Sequence, residues 1–132
     1  MRYEQWVRTC CENIASHLDL AGWRVEVDFS GADAKDEYVT AKTKILGPYK
    51  QVILTCYPVL KTWFHDGDTE RILGILVHEF VHVLLDPFDE WMAPHLSTIT
   101  APIFVDVLER QTQTITMILL KTLPQNLIPK TK

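Results

Sequence analysis

The segment that most constrains this chain runs from Asp68 to about Leu85. Ile72, Leu73, Ile75, Leu76, Val77, Phe80, Val81, Val83, Leu84 and Leu85 leave it apolar on nearly every side. A helix of that kind belongs in the middle of a core. Asp68 stands where a cap for the free N–H groups is needed, and Glu70 lies near the positive end of the helix dipole. Pro87 disfavours helical geometry at Asp86, which predicts a stop there. Into this apolar run the sequence sets three ionisable side chains, His78, Glu79 and His82. Burying them without partners is costly.

The rest of the chain supplies material to surround such a helix. Arg2 to Leu20 carries Trp6, Val7, Ile14 and Leu18 at helical spacing, with Ala21-Gly22 predicted to end it through a glycine cap. Trp23 to Phe29 alternates four apolar with three charged residues, the pattern of a strand with one wet face. Ser30 to Asp36 reads as a polar turn. Glu37 to Ile45 alternates again, with Val39, Ala41 and Ile45 on one side and Lys42 and Lys44 on the other. After the Gly47-Pro48 turn, Gln51 to Tyr57 reads as a third, more buried strand that Pro58 stops. Residues 59 to 66 are irregular or a short helix. A loop holding Pro94 and His95 leads to Thr100, a predicted cap for a last helix from Ala101 to about Leu123. The order is helix, three strands, buried helix, loop, helix. This is α+β, with helices on one face of a small, mostly antiparallel sheet. Residues 1–123 form a single domain, and residues 124–132 are expected as a flexible tail.

Composition narrows the function classes. Lys plus Arg is 13 against 17 for Asp plus Glu, a formal charge of −4 with no basic run. That is a poor match to a protein that binds nucleic acid through phosphate contacts. No apolar stretch reaches membrane-spanning length, and the N-terminus has no apolar run of a secretory signal. Cys10, Cys11 and Cys56 make an odd count with two neighbours adjacent, a poor disulfide framework. They read as three reduced thiols in a cytoplasmic protein. A monomer or weak oligomer is expected.

His78-Glu79-Phe80-Val81-His82 is His-Glu-x-x-His. Histidines at i and i+4 lie one turn apart on one helix face, so their ring nitrogens can converge on one Zn²⁺ at about 2.0–2.1 Å. Glu79 is then placed beside the metal to act on water instead of binding the ion. From average usage, a chance occurrence in a chain this short is on the order of one percent. The bland alternatives are two core histidines bonded to backbone, or a purely structural zinc. A structural site usually fills four protein ligands, often with Cys, and no Cys lies near the motif.

The HEFVH run, in a buried helix preceded by three strands and an N-terminal helix, resembles the zincin metallopeptidases. In particular it resembles the very small zincin-like proteins of phages and prophages. The resemblance covers most of the chain in element order, and the five-residue motif is its sharply specific part. It implies a zinc-dependent peptide hydrolase in the cytoplasm of a bacterial or phage-infected cell, acting on a peptide or protein laid along a sheet edge. His78 and His82 would bind the metal, and Glu79 would be the general base. The metzincin extension requires Gly at 85 and His at 88, where this chain has Leu85 and Phe88. The glutamate-type zincins take their third ligand from the next helix, where Glu109 lies. Asp106, one turn earlier, and His95 in the loop are alternative ligands, and His95 is also a candidate oxyanion donor. Arg110, Tyr49 and Tyr57 are further candidate donors. Asp86, one turn after His82, can orient that ring, and can bind metal only if the helix breaks first. The alternative function is a zinc-stabilised binding module that recognises a partner without cutting it.

Overall fold

The computed structural model describes residues 1–30 and 39–132 of the chain, so the expected turn over 31–36 and strand start at Glu37 lie outside the described residues. The chain folds as α+β, with one three-stranded sheet and four α-helices among the described residues. Helix α1 spans Tyr3–His17 and buries Trp6, Val7, Cys10, Cys11 and Ile14, one stripe at helical spacing. It ends earlier than Gly22. Asp19 takes the left-handed conformation (φ 60°), and the Leu20 N–H reaches back to Ala15 O at 2.7 Å. That is a Schellman ending built on Asp, which tolerates this backbone better than most residues.

Strands β1 (Arg24–Asp28), β2 (Ala41–Leu46) and β3 (Gln51–Cys56) are arranged in the order β1-β3-β2. β2 and β3 pair antiparallel across the Gly47–Tyr49 turn, whereas β1 lies parallel to β3. The central strand β3 buries Val52, Leu54 and Cys56 against the helices. Register then places Val25, Val27, Ala41, Thr43 and Ile45 on that same inner face, because paired residues share a face. Thr43, opposite Leu54, is the polar exception among them.

Pro58 opens a short helix α2 (Pro58–His65), as a first-turn proline can. Helix α3 follows over Thr69–Met92. It is longer than the proline predicts, since Pro87 sits inside it. The ring removes one hydrogen bond to the Val83 carbonyl, but contacts beyond it hold the last turns. Phe88 packs on Phe104 with ring centroids 5.7 Å apart, and Gly47 sits against the carboxylates of Asp86 and Glu90. Asp68 precedes the helix without a side-chain capping bond.

Helix α4 (Thr100–Thr122) packs on α3. Thr100 is the first residue of the helix and not its cap, because the capping side chain comes from Ser97, three residues earlier. Ser97 Oγ accepts the Thr100 N–H at 3.1 Å while Thr100 Oγ1 accepts the Ser97 N–H at 2.9 Å, a reciprocal pair of the capping-box kind. Residues 124–132 are not detached from the core. Trp6 Nε1 donates to Pro129 O at 2.9 Å and Asn13 Nδ2 to Leu127 O at 2.6 Å, while Leu127 and Ile128 pack on the core. Among the described residues, no helix is long and apolar enough to cross a membrane.

Candidate metal centre

The i, i+4 spacing of α3 brings the two histidine rings together, with centroids 4.8 Å apart. The remaining site groups come from α4, and the reason is local. Thr112 and Thr116 are fully buried, while Ile103, Val107, Met117 and Ile118 on other sides of the same helix are exposed. The threonine stripe faces α3, since small side chains allow close approach. Their hydroxyls donate to the carbonyls one turn back, Leu108 O at 2.8 Å and Thr112 O at 2.7 Å, so no polar group is stranded. Glu109 and Gln113, one turn apart, both stand on the same side of Thr112, at the edge of that stripe.

Glu109 consequently reaches both histidines. Its Oε1 lies 3.1 Å from His82 Nε2, and its Oε2 lies 3.5 Å from His78 Nε2. His78 Nδ1 lies 3.0 Å from Gln113 Oε1. The histidines are half-buried and Glu109 is about half exposed. One ligand atom from each of His78, His82 and Glu109 falls within 4.8 Å of the others. Tetrahedral zinc with bonds of about 2.0–2.2 Å separates its ligand atoms by roughly 3.3–3.5 Å. The two nitrogen–oxygen distances straddle that value, and two imidazoles with one carboxylate are donors zinc accepts. The donor set fits zinc.

Glu79 points to the other side of the helix edge, toward the sheet, where Thr43 Oγ1 donates a hydrogen bond to its Oε2. Glu79 and His82 line a cleft of about 360 Å³ walled by Ala41, Thr43 and Ile45 of β2 and by Leu108 of α4. Asp86 and Asp89 line its far end. Burial, then the neighbouring Glu90 and Asp89 carboxylates, push the Asp86 carboxyl above its ordinary range. A larger hollow of about 770 Å³ at the start of α1 involves none of these groups.

The other sequence candidates are placed elsewhere. Asp106 is bound to Arg110 at 2.6 Å on the exposed side of α4, which removes both from the site. His95 lies in the Ala93–His95 turn with its ring against Trp91, 5.7 Å between centroids. Asp86 makes no hydrogen bond to His82 among the described residues, and the unbroken α3 keeps it a turn beyond the cluster of His78, His82 and Glu109. Tyr49 and Tyr57 do not line the cleft. Thr43 and Gln113 are site residues that the motif alone did not single out. Thr43 shares the inward parity of Ala41 and Ile45, and Gln113 stands one turn after Glu109, so each carried a positional signal. Comparison of the chain with protein-family models, with curated proteins and with solved structures finds no match.

Proposed function

We propose that the chain is a zinc-dependent metallopeptidase of the zincin kind. The observation that carries this reading is the convergence of His78 and His82 of α3 on Glu109 of α4. His78, His82 and Glu109 hold the ion. Zinc held there supplies Lewis-acid polarisation of a peptide carbonyl and activation of water. Glu79 takes the proton of the attacking water and returns it to the leaving amine. Thr43 holds one Glu79 oxygen, which leaves the other free for that transfer. Among the described residues, no strand pairs with the outer edge of β2, which walls the cleft. An extended peptide adds to that edge by backbone pairing, alongside Glu79.

The test is metal analysis and peptide cleavage in the wild type and in Glu79→Gln. One zinc per chain is expected in both, with cleavage about 10²–10⁴-fold slower in the variant. Full cleavage by Glu79→Gln overturns the mechanism. A zinc-loaded wild type that leaves every peptide of a diverse library intact overturns the peptidase reading in favour of a binding module.

A further inference from the structure

An imidazole that binds a metal through one nitrogen must carry its proton on the other. His78 has an acceptor at each end of its ring. Gln113 Oε1 lies 3.0 Å from Nδ1, and Glu109 Oε2 lies 3.5 Å from Nε2. A side-chain carbonyl oxygen only accepts, so the short contact requires the proton on Nδ1. The carboxylate competes for the same proton from the longer distance. Gln113 is held in place because the adjacent Thr112 and Thr116 are buried and seat this face of α4 against α3. His82 has no matching side-chain partner at Nδ1 among the described residues.

We propose that Gln113 is a positioning residue: its side-chain carbonyl holds the His78 proton on Nδ1 and so presents the Nε2 lone pair to the metal. This role rests on the zinc site proposed above, but its first half is a property of the metal-free chain. Helix α4 on this reading supplies two things from one stripe, the third ligand at Glu109 and the orientation of the first ligand through Gln113.

The test uses the full chain with ¹⁵N-labelled histidine, as wild type, Gln113→Met and Gln113→Glu. In metal-free wild type the neutral His78 ring is expected to show its proton on Nδ1 and a bare Nε2. In Gln113→Met the proton moves to Nε2, toward Glu109. Gln113→Glu keeps an acceptor and keeps the Nδ1 form. Zinc affinity, measured by chelator competition, is expected to fall about 10–100-fold in Gln113→Met and to return toward wild type in Gln113→Glu. Gln113 is exposed, so the far-UV circular dichroism stays unchanged. A wild-type His78 protonated on Nε2 overturns the proposal, as does a tautomer or a zinc affinity indifferent to Gln113→Met. If the tautomer follows Gln113 while no variant binds zinc, the contact is upheld and the metallopeptidase reading is what fails.

Discussion

Removing zinc is expected to loosen one half of one helix more than the rest of the protein. From Thr100 to Gln111, α4 has no fully buried side chain. Its attachments there include the Phe104–Phe88 ring contact, the half-buried Leu108 and the reach of Glu109 to His78 and His82. A ligand that binds only the folded state, at free concentration 100 times its Kd, stabilises by about 2.7 kcal/mol. For 132 residues, an unfolding entropy near 2.1 cal/mol/K per residue turns this into a rise in Tm of roughly 10 °C. The assay is a thermal melt in chelator and in buffered zinc, paired with hydrogen exchange. Added protection is expected over residues 100–111 and little change in α1, which is seated by Trp6, Val7, Cys11 and Ile14. Glu109→Ala, which cuts the tie between the helices, is expected to lose most of the zinc-dependent rise while melting normally in chelator. Equal Tm values with and without zinc refute the reasoning, and so does a Glu109→Ala variant that responds like wild type.

Other expectations follow from the same geometry. The Asp86 carboxyl is raised in the folded chain, so the native state holds a proton that the unfolded state has released; stability therefore falls as pH rises through and above the ordinary carboxylate range. Asp86→Asn is expected to remove that slope in urea titrations at pH 4 to 7, and an unchanged slope counts against a destabilising Asp86. Burial pushes the Cys10 and Cys56 thiols up to about 12 and raises the Cys11 thiol well above its ordinary value. Ellman's reagent is expected to react with them only after denaturation, and rapid labelling of native protein contradicts this. Deleting residues 124–132 strands Trp6 Nε1 and the Asn13 amide and uncovers core side chains. A loss on the order of 2–4 kcal/mol is expected in denaturant melts, where a detached tail predicts none.

The parts of this fold that were legible in the sequence are those where one periodicity decides the outcome. The i, i+4 spacing of His78 and His82 is enough to bring the rings together once the segment is helical, and the apolar run makes it so. Strand alternation found β1 and β2 and a β-branched apolar run found β3, but neither signal names a partner, so the parallel β1–β3 pairing was not readable. Pro87 predicts a stop because local preference is all a sequence shows. Phe88 packs on Phe104 and Glu90 lies near Gly47, both beyond the proline and both between distant segments, where local preference has no say.

Helix α4 is the instructive case, because its apolar residues lie on two sides. Ile103, Val107, Met117 and Ile118 are exposed, whereas Ile115, Leu119 and Leu120 pack on the core beside the fully buried Thr112 and Thr116. Hydropathy alone therefore names no single inner face. Two facts bear on the face that is buried. Threonine is small enough for α3 and α4 to approach closely, as they do at Gly74, where an added Cβ meets Leu120 Cδ1 at 3.7 Å. Its hydroxyl is also satisfied within its own helix, so burial leaves no orphaned donor. With Thr112 turned inward, Glu109, three residues earlier, lies on the inner side, where it meets the two histidines. The choice between Glu109 and Asp106 then follows, since residues three apart on a helix differ by about 60° in direction. On α4 that turn separates the carboxylate that meets His78 and His82 from the one that meets Arg110.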